Sequence, residues 1–243
     1  MERGVCVITG GGRGIGAATA RLAAEAGWTV LITWANDEAS AAAVAAELGG
    51  QAVRAEVSDP AQVEAAFRAA AAAGPITAVV ANAGIVAPTT RIVDMDPDRM
   101  RRMVEVNTLG AMFTIREALR HMETSRGGPG GSIVAVSSVA ARLGSAGQYV
   151  DYAASKGAVD SFVIGAAKEA AGEGVRVNAV VPGIIDTEIH ADSGNPDRPR
   201  EVGPNLPMGR AGTAEEVAEA IVWLLGDQAS YVTGALLDVT GAR

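Results

Sequence analysis

The chain has 243 residues, of which 49% are hydrophobic, and a formal net charge of −8. This length suits one α/β domain over residues 1–243, with enough apolar material for a sizeable core. The negative charge argues against nucleic acids and anionic membrane surfaces as partners, and no apolar run is long enough for a membrane span.

Short runs rich in β-branched residues alternate with longer alanine-rich stretches along the chain. The short runs predict strands at residues 5–9, 29–33, 51–55, 78–81, 132–136, 175–180 and 235–239. The longer stretches predict helices at 14–26, 38–48, 61–73, 98–123, 150–171 and 214–225, and Thr213 with Glu216 predicts a capping box for the last. Apolar strands separated by helices favour an α/β fold with a doubly wound, seven-stranded parallel sheet covered on both faces.

A glycine-rich turn follows the first predicted strand. It reads Thr9-Gly-Gly-Gly-Arg-Gly-Ile-Gly16, and a predicted helix begins inside it. Glycines let the backbone approach a ligand closely, and the helix N-terminus offers free N–H groups to a pyrophosphate. Strand, turn and helix together indicate a dinucleotide site of the Rossmann type, and a glycine-rich turn without a ligand is the alternative.

Tyr152 and Lys156 are four residues apart on a predicted helix, so that they share one face. A free tyrosine ionises near pH 10, too high for acid–base work at neutral pH. A cation at about 4 Å contributes roughly 4 kcal/mol at an effective dielectric of 20, enough to lower the pKa by about three units. We therefore expect Lys156 to lower the pKa of Tyr152, although the same spacing occurs by chance on many exposed helices.

Two stretches have no regular pattern. Residues 127–131 predict a surface turn between a helix and a strand. Residues 188–207 are long, polar and rich in proline and glycine, which predicts either a flexible loop or a lid over a site.

Further motifs occur in a fixed order: Asn82-Ala-Gly84, Asn107, Ser138, the Tyr152–Lys156 pair and Pro182-Gly183. With the glycine turn they resemble the short-chain dehydrogenases/reductases over essentially the whole chain. The segments around 207–216 and 231–234 resemble the branch of 3-oxoacyl-carrier-protein reductases and glucose dehydrogenases. The resemblance implies a single-domain Rossmann fold that binds NADP(H) or NAD(H), and a homotetramer.

The resemblance also implies roles for four catalytic residues. Tyr152 is the general acid–base, Ser138 hydrogen-bonds the substrate oxygen, and Lys156 lowers the pKa of Tyr152 and holds the nicotinamide ribose. Asn107 supports a water that links Lys156 to solvent. Two alternatives stay open: Ser137 in place of Ser138, because Tyr152 follows Ser138 by 14 residues instead of the usual 13 or so, and a mere helix-bending role for Asn107.

The implied cofactor contacts span the chain. They are Gly10, Gly12, Arg13, Gly14, Ile15, Gly16, Trp34, Asn36, Glu56, Val57, Asn82, Ala83, Gly84, Tyr152, Lys156, Pro182, Gly183, Ile184, Ile185 and Thr187.

The end of the second strand favours NADP over NAD. An acidic residue there would bind the ribose hydroxyls of NAD and repel an extra phosphate, and this chain has Trp34 instead. Arg13 and Asn36 are candidates for the 2′-phosphate. Ala35 stands where NADP-using relatives often have arginine, and Asp37 and Glu56 are further departures that leave NAD open.

The expected activity is therefore NADP-dependent hydride transfer to or from a small carbonyl or secondary alcohol substrate. A cofactor-binding regulator, an epimerase or dehydratase on the related extended fold, and an enoyl reductase are the rivals. We expect Arg142, Leu143, Ser145, Gln148 and residues 189–207 to shape the substrate pocket. The acidic balance disfavours an acyl carrier protein as partner.

Histidines and the single cysteine are not expected to act in chemistry. His121 and His190 have no predicted metal partners, so we expect no metal, and only His190 lies where it would touch substrate. Cys6 is the only cysteine, which excludes an intrachain disulfide and fits a reducing cytoplasm. The first residues lead into a strand-like run, so we expect no signal peptide.

Overall fold

A computed structural model describes residues 3–243 and has a seven-stranded sheet at its centre. The strands are β1 (Val5–Ile8), β2 (Thr29–Trp34), β3 (Gln51–Arg54), β4 (Ile76–Ala81), β5 (Gly131–Val136), β6 (Val175–Pro182) and β7 (Leu236–Val239). All pairs are parallel, in the order β3-β2-β1-β4-β5-β6-β7. This arrangement confirms the predicted doubly wound α/β fold.

Ten α-helices accompany the sheet within the described range. They are α1 (Gly14–Glu25), α2 (Glu38–Leu48), α3 (Pro60–Ala73), α4 (Pro97–Val104), α5 (Gly110–Met122), α6 (Ala140–Leu143), α7 (Val150–Ala170), α8 (Ile189–Asp192), α9 (Arg198–Val202) and α10 (Ala214–Leu225). Two hydrophobic clusters cover the two faces of the sheet. One takes side chains from α3, α5 and α7, and the other from α1, α2 and α10.

Capping side chains explain where four of the helices begin. Asp37, Asp59 and Asp96 each accept a backbone N–H at the start of α2, α3 and α4. The predicted capping box of Thr213 and Glu216 is present at α10. These side chains satisfy N–H groups that a helix cannot bond internally.

The prediction of one helix over residues 98–123 is wrong. The structure has α4, then a π-helical turn at Glu105–Leu109, then α5. Asn107 lies in this turn, and its side chain bonds the backbone of Ile85 and the hydroxyl of Ser155 instead of facing solvent. Such π-turns inside helices frequently occur at functional sites.

Residues 188–207 are not one flexible loop. They contain α8, α9 and a 3₁₀ turn at Gly203–Asn205. Arg198 at the start of α9 donates a hydrogen bond to Gln148 at 2.8 Å, and Asp192 at the end of α8 pairs with Arg13. The segment is therefore tied to both sides of the cavity described below.

The sheet changes winding direction between β1 and β4, because β2 lies on one side of β1 and β4 on the other. In open α/β sheets ligands bind beyond the carboxyl ends of the strands at such a switch point. The segments after β1, β2, β4, β5 and β6 are those in which the sequence motifs fall.

Several large apolar side chains stay exposed on the described surface. They are Ile92, Val93, Val104, Leu109, Leu143, Ile164, Met208, Trp223 and Tyr231. Val104, Leu109, Ile164 and Trp223 belong to the long helices and to α10, surfaces that the expected tetramer would cover, and the tetramer stays a prediction. Among residues 3–243, no helix is both long and apolar enough to cross a membrane.

A buried ion pair fixes the start of α7 against α4. Arg99 bonds both carboxylate oxygens of Asp151, at 2.9 and 3.1 Å, and the two side chains are 16% and 4% exposed. Asp151 directly precedes Tyr152. The pair therefore sets the position of the first turn of α7.

We expect Arg99→Ala to destabilise the protein by roughly 3–5 kcal/mol, because it leaves the Asp151 carboxylate buried and unpaired. For a chain of this size this is a fall in Tm of about 6–20 °C, measured by calorimetry. Arg101→Ala is the matched control, since Arg101 pairs with Asp98 on the surface of the same helix, and it should cost less than about 1 kcal/mol. Equal effects of both substitutions would contradict this view of α7.

Candidate active site

A cavity of about 770 Å³ opens beyond the carboxyl ends of the strands. Its lining includes Ser138, Tyr152 and Lys156, and every expected cofactor contact except Gly16. Asn107 is buried behind this lining. The structure thus brings together residues that the sequence spreads over most of the chain.

Glycines shape the floor of the cavity after β1. Gly10 and Gly14 have φ angles of 67° and 51°, a region that other residues rarely adopt. Gly16 is buried, and a Cβ there would lie 2.3 Å from the carbonyl oxygen of Gly10. Gly16 is therefore a packing position that lets α1 approach the turn, and it does not face the cavity.

The N-terminus of α1 has no side-chain cap. Arg13 is its N-cap residue, its side chain makes no capping hydrogen bond, and the first turn has no acidic residue. Asp37, Asp59 and Asp96 cap α2, α3 and α4, whereas the first N–H groups of α1 have no side-chain acceptor, and Arg13, Gly14 and Ile15 line the cavity. Free N–H groups and the positive end of the helix dipole suit a pyrophosphate.

Asn82 joins the ends of β4 and β1. Its amide nitrogen donates to the carbonyl oxygens of Thr9 at 2.9 Å and Gly10 at 3.0 Å. The Thr9 hydroxyl in turn accepts the backbone N–H groups of Asn82 and Ala83, at 3.0 and 3.1 Å. Asn82 is thus a strand-end connector that also lines the cavity, and its contact with a cofactor stays a prediction.

The end of β2 has three polar side chains on the cavity. Asn36, Asp37 and Ser40 line it beside Trp34. The Asp37 carboxylate accepts the backbone N–H of Ser40 at 3.0 Å and the Ser40 hydroxyl at 2.6 Å. These hydrogen bonds hold the pKa of Asp37 below its usual value, so Asp37 is an ionised helix cap.

Two cations near this end are paired with carboxylates. Arg13 contacts Asp192 at 2.5 Å, and Arg102 contacts Glu56 at 2.7 Å. From the sequence we expected Arg13 to be available for a 2′-phosphate. In the structure it has an acidic partner that lies far away in the chain, although both side chains are nearly half exposed.

Ser138 and Tyr152 face each other at the other end of the cavity. Ser138 is near enough to the Tyr152 phenol to oppose the rise of its pKa, and the backbone N–H of Ala140 donates to the Ser138 hydroxyl at 3.2 Å. The Ser137 hydroxyl instead donates to the carbonyl oxygen of Lys156 at 3.4 Å. This geometry favours Ser138 over Ser137 as the partner of Tyr152.

The expectation that Lys156 lowers the pKa of Tyr152 fails for this structure. Burial raises the pKa of Tyr152 to about 12, and Ser138 offsets only part of this effect. The Lys156 ammonium nitrogen lies 5.8 Å from the centre of the Tyr152 ring, and Lys156 is not among the groups that shift the pKa of Tyr152. Loss of water around the phenol therefore outweighs the nearby charge.

Lys156 is itself buried. Its ammonium donates to the carbonyl oxygen of Val136 at the end of β5, at 2.7 Å. Burial lowers the pKa of Lys156 to about 8, and the carboxylate of Asp160 one turn later opposes this shift. Burial also raises the pKa of Asp160, and Ser137, Arg142 and Lys156 oppose that rise.

Asn107 connects the segment after β4 to α7. Its amide oxygen accepts the Ile85 N–H at 2.7 Å, and its amide nitrogen donates to Ile85 O at 2.9 Å and Ser155 Oγ at 3.1 Å. A Cβ at Gly84 would lie 3.2 Å from Asn107 Oδ1 and 3.4 Å from the Lys156 nitrogen. Asn107 therefore fixes Ile85 and Ser155 relative to each other beside Lys156.

The loop before α7 has an unusual backbone conformation. Ser145 has a φ of 47°, which is uncommon for a residue with a side chain. Leu143, Ser145 and Gln148 line the cavity as predicted. Arg142 does not: it donates to Asp238 at 2.8 Å, so its prediction as a pocket residue is wrong.

The segment after β6 closes the side of the cavity. Pro182 to Ile185, Thr187, Glu188, Ile189, His190, Asp192 and Ser193 line it. His190 Nε2 lies 2.9 Å from the carbonyl oxygen of Ile185, and burial lowers the pKa of His190. Of the predicted segment 189–207, only the first part faces the cavity.

His121 and Cys6 do not line the cavity. The His121 ring stacks on Phe67, with centroids 5.9 Å apart. Cys6 is fully buried in β1, and burial raises the pKa of its thiol to about 12, so it remains protonated. In the described range, no group of three or more His, Cys, Asp or Glu residues has metal-binding geometry.

Several lining residues were not foreseen from the sequence, among them Ser40, Arg102, Tyr149 and Arg243. No local motif marks them, because Ser40 and Arg102 reach the cavity from helices and Arg243 follows β7. Tyr149, directly before α7, could have been predicted because it is close to Tyr152 in the sequence. Only the folded sheet brings the others to the same edge.

Fold and cavity together define a Rossmann-like α/β protein whose cavity is lined by the glycine turn and by Ser138, Tyr152 and Lys156. A family model described as enoyl-(acyl carrier protein) reductase matches residues 10–241. The uncharacterized oxidoreductase YgfF of Escherichia coli (strain K12) is 46% identical over 98% of this chain and 99% of that protein. The cis-4-hydroxycyclohexanecarboxylate dehydrogenase of Sinomonas cyclohexanicum is 41% identical over 98% and 95%, respectively.

A solved structure agrees with these relatives. A dehydrogenase/reductase from Sinorhizobium meliloti 1021 matches with a TM-score of 0.89 and 31% identity, over 100% of this chain and 95% of that chain. This chain belongs to the short-chain dehydrogenase/reductase family. It is an oxidoreductase of the kind that acts on CH–OH or carbonyl groups.

The buried ammonium of Lys156 predicts a pH dependence of stability. Its pKa is about 8 in the folded chain against 10.5 unfolded, so between these values the unfolded state binds more protons and stability rises with pH. The quantity to follow is the difference in free energy of unfolding between the wild type and Lys156→Met. We expect this difference to rise by about 2 kcal/mol between about pH 7 and 9.5.

Urea unfolding of both proteins at the two pH values measures this difference, since the other titrating groups are shared. Lys168→Met is the matched control, because Lys168 is the other lysine of the chain and is exposed. Its difference from wild type should not change with pH. A flat profile for Lys156→Met would contradict the burial of the charge.

Proposed function

We propose that this protein is an NADP-dependent oxidoreductase that transfers hydride between the cofactor and a carbonyl or secondary alcohol substrate. One observation carries the proposal: a single cavity is lined by the uncapped N-terminus of α1 and by the side chains of Ser138 and Tyr152. The first feature suits a pyrophosphate, and the second suits a substrate oxygen that gains or loses a proton.

The roles of the catalytic residues follow from their contacts. When bound, the cofactor supplies or accepts the hydride. Tyr152 donates its proton to the substrate oxygen in reduction, and Ser138 stabilises charge developing on that oxygen. Val136 O accepts one of the three N–H donors of Lys156, and the others suit the ribose hydroxyls of the cofactor.

Two further elements act through position. Asn107 holds Ser155, the neighbour of Lys156, against the segment after β4, and so orients the ammonium. Residues 188–207 act as a lid, tied to the glycine turn by Asp192 and to the substrate side by Arg198. Both roles are part of the proposal.

The high pKa of Tyr152 favours the protonated phenol at neutral pH. This is the form that donates a proton, so the site is prepared for carbonyl reduction. Alcohol oxidation needs the phenolate, and its rate should rise with pH until Tyr152 ionises.

Features at the end of β2 support NADP over NAD. Trp34 occupies the position where a carboxylate would repel a 2′-phosphate. Asn36 lines the cavity as a donor beside it, and Asp37 is engaged as a helix cap that also accepts the Ser40 hydroxyl. The exposed pair of Arg13 and Asp192 contributes little energy, so Arg13 exchanges partners at low cost.

The description of the matching family model favours a second candidate, reduction of an enoyl thioester. In that reaction hydride goes to a carbon–carbon double bond instead of a carbonyl carbon. A panel of ketones, aldehydes and 3-oxoacyl and enoyl thioesters, followed by NADPH absorbance, distinguishes the two. Turnover restricted to the enoyl compounds would replace the first proposal by the second.

We expect Tyr152→Phe to lower kcat for carbonyl reduction by roughly 10²–10⁴, the usual contribution of a positioned general acid. NADPH binding, measured by fluorescence titration, should change little because the phosphate cradle is intact. Tyr231→Phe makes the same chemical change at a fully exposed residue and is the control. Carbonyl turnover retained in Tyr152→Phe would overturn the mechanism.

Steady-state kinetics should give a higher kcat/KM with NADPH than with NADH. Trp34→Asp places a carboxylate beside the adenosine ribose, and the ratio of the two values should fall about tenfold or more, since each 1.4 kcal/mol of repulsion is tenfold. Trp34→Phe keeps the aromatic ring without the charge and is the control. An NADH preference in the wild type would refute the cofactor assignment.

A further inference from the structure

Gln148 lies at the end of the cavity that contains Tyr152, the substrate end, and its backbone is fixed on both sides. It belongs to the loop before α7 and lines the cavity. Its N–H donates to the carbonyl oxygen of Ser145 at 3.0 Å, and its own carbonyl oxygen accepts the N–H of Thr90 at 2.8 Å. Thr90 belongs to the segment after β4. The Gln148 side chain therefore extends from a backbone position that two segments hold.

The side-chain amide of Gln148 is oriented by Arg198. A terminal nitrogen of Arg198 donates to Gln148 Oε1 at 2.8 Å, and within residues 3–243 this is the only side-chain hydrogen bond that Arg198 makes. A guanidinium has five N–H donors and no acceptor. Only the amide oxygen can face it, because rotating the amide by 180° would turn two N–H donors towards a cation. The chemistry of the partner thus decides which end of the amide is oxygen and which is nitrogen.

Arg198 is itself held in place from two directions. Its guanidinium carbon lies 5.7 Å from the centre of the Tyr149 ring. Its backbone N–H donates to the carbonyl oxygen of Asn195 at 3.3 Å, and the Asn195 N–H donates to the carbonyl oxygen of His190 at 3.1 Å. His190 lines the same cavity. The amide of Gln148 therefore has a fixed partner and one favoured orientation.

The amide nitrogen of Gln148 remains available for a ligand. In the described range Nε2 donates to no protein acceptor, and it is not among the buried polar atoms that lack a partner. Nε2 carries two N–H donors. The substrate end of the cavity thus has a neutral donor whose direction is set by a charged residue outside the cavity lining.

We propose that Gln148 determines specificity by donating a hydrogen bond from Nε2 to a second oxygen of the substrate, while the reacting oxygen lies at Tyr152. The substrate is then a ketone or alcohol with a further hydroxyl, ether or carbonyl oxygen. This inference rests on the proposed function and specifies its substrate class. Arg198 is a positioning residue that acts through Gln148 and does not touch the substrate.

The test compares ketones that differ only in the second oxygen. Tetrahydropyran-4-one, whose ring oxygen only accepts hydrogen bonds, is paired with cyclohexanone, and 4-hydroxy-2-butanone is paired with 2-butanone. Each ketone is reduced with NADPH, and the readout is the ratio of kcat/KM within each pair. Intrinsic differences in carbonyl reactivity cancel when the ratio of a variant is divided by that of the wild type.

Gln148→Glu is the decisive variant. It keeps the length of the side chain and an oxygen for Arg198, and it replaces the Nε2 donor by an acceptor. We expect the ratio to fall about three- to tenfold in at least one pair, the range for one neutral hydrogen bond. Gln148→Met removes both groups and should lower the ratio by a similar factor.

Two further variants complete the comparison. Gln228→Glu makes the same change at an exposed residue that does not line the cavity, and its ratio should equal that of the wild type. Arg198→Met frees the amide to rotate and should lower the ratio by less than Gln148→Glu does. If Arg198→Met does not fold, the Gln148 variants decide.

Three results would overturn the inference. They are a ratio that neither Gln148 variant changes, a ratio that Gln228→Glu changes equally, and a ratio that falls in Tyr149→Phe but not in Gln148→Glu. The last result would assign the donor to the neighbouring phenol, which also lines the cavity.

A binding experiment separates this inference from the proposed function. Tetrahydropyran-4-ol and cyclohexanol, which NADPH cannot reduce, are titrated calorimetrically into the protein with and without NADPH. Tighter binding of the ether that is lost in Gln148→Glu supports the inference even if no ketone is reduced, and in that case the proposed function fails alone. Equal binding of the two alcohols counts against the inference even if ketones are reduced.

Discussion

The buried ammonium of Lys156 is the constraint on which the rest of the site depends. Removing an ammonium from water costs several kcal/mol unless partners replace the water. The chain supplies one carbonyl, Val136 O, and a carboxylate one helical turn away at Asp160. The strand end at Val136 and the bare backbone at Gly84 both lie against Lys156, and a Cβ at Gly84 would come 3.2 Å from Asn107 Oδ1 and 3.4 Å from the Lys156 nitrogen.

The helix that follows β4 is irregular for the same reason. An unbroken helix would make its backbone bonds internally and leave Asn107 as an ordinary surface or core residue. The π-turn at Glu105–Leu109 instead directs the Asn107 amide to Ile85 and Ser155, next to Gly84 and Lys156. A local loss of helix regularity thus fixes β4 and α7 relative to each other at the point where the chemistry occurs.

Local signals made the fold and most of the cavity predictable. Strand and helix alternation, the glycine turn and the Thr213–Glu216 capping box depend on neighbouring residues, and the structure has all three. The failures depend on distant contacts. The pairing of Arg13 with Asp192 joins residues 179 positions apart, and the raised pKa of Tyr152 depends on burial by the whole fold. The spacing of residues in the sequence reports neither the distance between side chains in the fold nor how far they are removed from water. The sequence analysis therefore overestimated how far Lys156 lowers the pKa of Tyr152.

The two ends of the cavity differ in how their cations are partnered. At the cofactor end Arg13 and Arg102 are paired with Asp192 and Glu56, so the helix N-terminus remains the principal feature there that attracts an anion. At the substrate end no carboxylate of the described chain balances Arg198, although it is partly buried. Instead, Gln148 and the Tyr149 ring hold its guanidinium from the cavity side. The cofactor end therefore attracts an anion through backbone N–H groups, whereas the guanidinium at the other end fixes the position of two lining side chains.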